Sequence, residues 1–188
     1  MDHSSGRWGR HGYGLSILSI SIVGVLYRLW DIDTIPMYFD ELAVWINVLA
    51  HDASDAEGAG LILLLSWVTT WWGDADALSW RIVLAVVSSL AIPVVGTLGR
   101  RLGGPPAGIL AAALFAGSPL AWHYAAQIRP YGIYLLFTAL LYDGFLVAYD
   151  RDRWRDWARY GGALWLCCMT HLVTALIAVP LGVVSVAS

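Results

Sequence analysis

The chain contains no lysine, and its 11 basic residues, all arginine, face 14 acidic ones. Charged residues of both signs make up 13% of the sequence, where a soluble domain carries roughly a quarter. That scarcity argues against an ordinary water-soluble domain. The formal net charge of −3 leaves no basic footprint for nucleic acid, so no nucleic-acid partner is expected. Cysteine is almost absent too: Cys167 and Cys168 stand side by side in an apolar run. Adjacent cysteines rarely bridge each other, and the pair says nothing about redox compartment. There is no internal repeat, no low-complexity tract and no soluble domain. The single sizeable polar loop is Asp31–Ala59, and it is acidic.

What the chain has in excess is apolar sequence. Hydrophobic residues reach 59% and the mean hydropathy is +0.64, which points to an integral membrane protein. The fold class expected is all-α, a polytopic bundle of about 5–6 spans. The apolar stretches lie at Gly14–Trp30, Leu78–Leu98, Ala107–Trp122, Tyr131–Tyr149 and 157–187. The last is either one kinked helix or two short ones broken near His171. Trp30, Trp80, Trp122 and Tyr149 sit near span ends, where an aromatic belt meets the headgroups. Interfacial helices are expected over 40–51 and 60–72, the second being too short to cross. With 60–72 lying in the interface, basic residues sort to one side: Arg7, Arg10, Arg100, Arg101 and the group Arg151, Arg153, Arg155 and Arg159. The amino terminus is then cytoplasmic.

That topology gathers the unusual polar residues on the opposite, outer face. They are Asp40 and Glu41, Arg81, then His123, Tyr124, Gln127, Arg129 and Tyr131, and finally His171. Ionisable groups at membrane depth are expensive and tend to line cavities or pathways. A carboxylate pair facing two arginines suits a reaction in which a base activates a nucleophile while cations stabilise a departing phosphate. A plainer reading stays open beside it: Arg81 and Arg129 as arginines snorkelling to headgroups, His123 as an interfacial aromatic, and His171 as a satisfied polar residue at a helix break. The row Ala107, Ala111, Ala112 and Ala116 reads as helix packing. Asp143 reads as a partner for an arginine of the 151–159 group.

The ordered segments Tyr38-Phe39-Asp40-Glu41, Trp80-Arg81-Ile82, Ser118-Pro119 through Gln127-Ile128-Arg129-Pro130-Tyr131, and Thr170-His171 resemble the GT-C glycosyltransferases. The nearest branch is that of the protein O-mannosyltransferases and aminoarabinose lipid A transferases. The likeness runs from about Gly14 to Leu181. Leu172 stands where relatives have a tyrosine, and Asp55–Gly60 replaces a His-Pro-Pro segment. Relatives are much longer, so the chain reads as an amino-terminal membrane module. The resemblance implies transfer of a sugar, with inversion, from a polyprenyl-phosphate donor on the outer face of a bacterial or archaeal cytoplasmic membrane. By the same resemblance Asp40 would act as base or acceptor-orienting carboxylate, with Glu41 beside it. Arg81 and Arg129 would hold the lipid-linked phosphate, supported by Tyr131 and Gln127, while His123, Tyr124 and His171 would line the site. The sequence requires no metal, and a divalent cation is left open as cofactor. Partners expected are membrane lipids, the lipid-linked donor and other membrane subunits. The alternative function is a non-catalytic, truncated module serving as a scaffold in a larger membrane complex.

Overall fold

A computed structural model describes residues 5–50, 67, 76–171, 174 and 176. The described residues form seven helices and no strands: α1 (Ser5–Leu29), α2 (Phe39–Ala50), α3 (Ala77–Ser89), α4 (Ala91–Ala116), α5 (Pro119–Ala125), α6 (Pro130–Arg151) and α7 (Trp154–Thr170). Among the described residues three stretches of helix are long and apolar enough to cross a membrane, namely His11–Leu29, Ala77–Ala116 and Pro130–Arg151. Along α1, Leu15, Leu18, Ile22, Val23 and Leu26 are exposed. In hydrocarbon such a face carries no penalty, because lipid tails are as apolar as leucine. The segment expected at 60–72 lies outside the described residues, apart from the exposed Trp67.

Local chemistry explains most of the boundaries. Asp76 caps α3, its Oδ1 accepting the backbone N–H of Ser79 at 2.8 Å. Hydrogen bonds from Ser79 hold the Asp76 carboxyl below its ordinary range. The cap is therefore intact above that range and weakens only as acidification passes the lowered value. Ser118 caps α5 in the same way, with Pro119 at the first helical position. The prolines Pro119 and Pro130 both open helices, where a missing N–H is harmless. Helix α7 ends at Thr170, and His171 is extended, at φ −157° and ψ 130°.

Within α4 the chain reverses. Gly103 and Gly104 leave helical geometry, Gly104 at φ +79°, a value that favours glycine. Pro105 and Pro106 then start the returning limb, Ala107–Ala116. The two limbs pack through small residues. A Cβ placed on Gly99 would lie 2.9 Å from the Ala107 carbonyl oxygen, and one on Gly108 would lie 2.6 Å from that of Gly96. Small-residue contacts let backbones approach where no hydrophobic force draws helices together. Ala107, Ala111, Ala112 and Ala116 all belong to this packing, Ala116 reaching across to Gly24 of α1. Gly99→Leu should accordingly force the limbs apart and destabilise by about 1–3 kcal/mol. The same change at Gly14, where a Cβ meets nothing within 4 Å, should leave the thermal midpoint in detergent unchanged.

Among the described residues two ionic knots, each centred on a buried carboxylate, sit at opposite ends of the bundle. Near the arginine-rich end, Asp143 of α6 accepts from Arg101 Nε at 2.8 Å and Arg159 Nη2 at 3.4 Å. This ties the reversal of α4 to α6 and α7. The other knot joins Glu41 and Arg81 and rests on a core of Trp80, Leu84, Val48, Ile128 and Ile133.

Candidate functional site

The site end is organised by α2. Its second and third residues are Asp40 and Glu41, and Glu41 is fully buried. The Glu41 carboxylate takes a bidentate pair of hydrogen bonds from Arg81, Nε to Oε1 at 2.9 Å and Nη2 to Oε2 at 2.8 Å. Oε1 also accepts the backbone N–H of Ile128 at 2.9 Å. The remaining Arg81 donors go to backbone carbonyls, Nη1 to Ile35 at 2.6 Å and Ile32 at 3.5 Å, and Nη2 to Pro36 at 3.4 Å. A guanidinium has five N–H groups, and all five are directed at acceptors here.

The consequence is architectural. One carboxylate and one guanidinium join the loop 31–36, the start of α2, the start of α3 and the turn between α5 and α6. Asp40 adjoins Glu41 in sequence and Arg129 adjoins Ile128, so the knot holds their backbones on either side of one hydrogen bond. The two residues assigned from sequence to neighbouring chemistry and to phosphate, Glu41 and Arg81, are thus bound to each other, with no Arg81 donor left over in this arrangement.

The turn after α5 carries the other sequence candidates. Arg129 has extended backbone, φ −141° and ψ 155°, immediately before Pro130, as a following proline favours. Its guanidinium lies over the Tyr131 ring, 5.0 Å from the centroid. Gln127 is buried, and its amide nitrogen is 3.1 Å from His123 Nε2, one helical turn earlier. From there a ribbon of rings crosses the site end. Tyr38 meets His123 at 5.9 Å, His123 meets Tyr124 at 5.6 Å, Tyr124 meets Tyr131 at 5.0 Å, and Tyr131 meets His171 at 5.3 Å. His171 also touches Tyr134, at 5.4 Å. The ribbon therefore starts two residues before Asp40 and ends at the break after α7, with Arg129 stacked on its middle.

Asp40, Glu41, Arg81, Gln127, Arg129, Tyr131, His123, Tyr124 and His171 thus belong to one end of the bundle. Tyr38 and Tyr134 complete the ribbon; Tyr38 carried no site role in the sequence although it stands in the Tyr38-Phe39-Asp40-Glu41 segment, and nothing there distinguishes Tyr134 from a belt tyrosine. Arg28 was also missed. It is 1% exposed, its Nη1 donates to the Gly24 carbonyl at 3.3 Å, and it lies 5.6 Å from the Phe115 centroid. A lone arginine one turn from the end of an apolar helix was the available signal. Among the described residues no group of three or more His, Cys, Asp or Glu is arranged to hold a metal. Compared with family models, curated proteins and solved structures, the chain matches none.

Proposed function

We propose that this end of the bundle is the donor-binding and transfer site of a membrane glycosyltransferase module of the GT-C kind, using a polyprenyl-phosphate-linked sugar. The observation that carries the reading is the Glu41 carboxylate, shared between Arg81 and the Ile128 N–H. A buried three-way clamp of this sort has a use beyond packing, because it sets the start of α2, with Asp40, against the turn that carries Arg129. Sequence order agrees with the resemblance already drawn. In this reading five or six crossings put the arginine-rich end inside and the ribbon of rings outside.

The roles then divide. Glu41 and Arg81 are positioning residues. Arg129 meets the lipid-linked phosphate, as a guanidinium matches phosphate oxygens in a fork. Asp40 orients or deprotonates the acceptor hydroxyl, which attacks the anomeric carbon as the bond to the phosphate oxygen breaks. The proton passes to the carboxylate and the negative charge to the leaving lipid phosphate, next to Arg129. The half-buried rings offer apolar faces beside polar edges, which suits a sugar held between lipid and water.

Transfer of label from polyprenyl-phosphate sugars by the purified full chain in nanodiscs tests this. Arg129→Ala should raise the donor KM and lower the rate by at least tenfold, and Arg129→Lys should recover only part, because an ammonium lacks the fork. The closed Glu41–Arg81 pair also favours a second reading, a non-catalytic GT-C-like subunit whose former site has become a structural clamp. Absence of transfer by the wild-type chain, with stoichiometric recovery in a larger membrane assembly, would establish that second reading instead.

A further inference from the structure

Two shallow apolar pockets lie in line along α1 and the returning limb of α4, meeting at Ala113, and together outline a groove. Its half nearer the site end, about 380 Å³, is lined by Ser19, Val23, Gly24 and Tyr27 against Ala113, Ala116 and neighbours. Its half nearer the arginine-rich end, about 590 Å³, is lined by Gly12 and Tyr13 against Pro105, Pro106 and Ile109, and Ala113 borders both halves. From Gly12 to Tyr27 the groove follows α1 for about 22 Å at 1.5 Å per residue. That exceeds the roughly 15 Å depth of one leaflet's hydrocarbon, so an acyl chain can lie in it along its whole length.

Charge says what covers it. Arg100 is exposed, and its guanidinium is stacked over the Tyr13 ring, 4.6 Å from the centroid. Tyr13 both lines the groove and is pinned by its hydroxyl, which donates to the Gly96 carbonyl at 2.8 Å. Arg101, by contrast, is taken by Asp143. Arg100 has no carboxylate partner among the described residues, and its position is fixed by the ring beneath it. The same end of the bundle also carries Arg151, Arg153 and Arg155. An apolar trough with a cation stacked on one of its lining rings has the layout of one lipid molecule, chain along the trough and anionic headgroup on the cation.

We infer that the α1–α4 groove is a binding site for an anionic glycerophospholipid, with its phosphate against Arg100 and an acyl chain running past Tyr13 toward Gly24. The site is separate from the ribbon of rings and does not depend on the reading given to that end.

The test uses the full chain in mild detergent, titrated with dioleoyl phosphatidylglycerol or dioleoyl phosphatidylcholine and followed by native mass spectrometry. Wild type should retain phosphatidylglycerol in preference to phosphatidylcholine. Arg100→Ala should weaken retention of the anionic lipid about fivefold and leave the zwitterionic one unchanged. Gly12 lines the trough and a Cβ there meets nothing within 4 Å, so Gly12→Phe should fill the trough and abolish retention of both. Circular dichroism of each variant guards against lost folding, and Arg100→Lys should keep most of the preference. Equal retention of the two lipids by wild type, or retention unaffected by Gly12→Phe, overturns the inference. So does displacement of phosphatidylglycerol by equimolar polyprenyl phosphate, or a dimer mass that Gly12→Phe converts to monomer.

Discussion

Replacing Glu41 by alanine is expected to destabilise the folded chain by about 3–5 kcal/mol, because it strands the Arg81 guanidinium in a buried site. Arg81 is 5% exposed, and both carboxylate oxygens of Glu41 are bound to it. Once they are gone, the Ile128 N–H also loses its acceptor, a loss of about 1–3 kcal/mol for a buried donor. Three backbone carbonyls would still hold the other Arg81 donors, so the loss is not the full burial of a bare ion. Glu41→Gln should be milder, since an amide oxygen can still accept from Ile128 or Arg81. The double change Glu41→Met with Arg81→Met should recover much of the stability, since replacing both members of a buried pair with apolar residues is often near neutral. Thermal unfolding in detergent, read for the two single variants and the double, measures this. A Glu41→Ala chain as stable as wild type would show that the knot does not hold α2 in place.

The second large effect concerns Asp40. In the transfer reading Asp40→Asn should lower turnover by about 10²–10⁴-fold, because an amide cannot accept the acceptor's proton. Lipid-phosphate binding should remain nearly intact, as Arg129 is untouched. Stability should hardly change, which separates Asp40 from its neighbour. Losses at Glu41 should track the folded fraction, whereas losses at Asp40 should appear in fully folded protein. Parallel turnover and unfolding measurements on Asp40→Asn and Glu41→Gln draw that line. If Asp40→Asn turns over like wild type, this carboxylate takes no part in proton transfer. If both variants lose activity only in step with unfolding, the pair is purely structural.

The sequence made some of this legible and hid the rest for physical reasons. Helical class and membrane-compatible apolar stretches follow from composition and run length, and the His11–Leu29 and Pro130–Arg151 helices sit where uninterrupted apolar residues demand them. The reversal at Gly103-Gly104-Pro105-Pro106 is written in residues that break helices. What sequence order cannot tell is that Glu41 turns inward. The direction of Glu41 is set by Arg81 forty residues away and by the Ile128 N–H further on. A backbone donor carries no sequence signal at all. The same holds for the ribbon of rings, since Tyr38 meets His123 of α5 and His171 meets Tyr131 of α6 only once the chain is folded. Arg28 has a nearer explanation: one charge in a long apolar helix does not alter its reading as a span.

Saturable binding of polyprenyl phosphate to the purified full chain tests the central claim most directly, with Arg129→Ala and Arg151→Ala measured side by side. The two arginines belong to opposite ends of α6, one capping its start and the other closing it. Binding that weakens at least tenfold in Arg129→Ala and is unchanged in Arg151→Ala is the result predicted for a phosphate site at the ribbon end. No saturable binding by wild type, or a loss confined to Arg151→Ala, would contradict it.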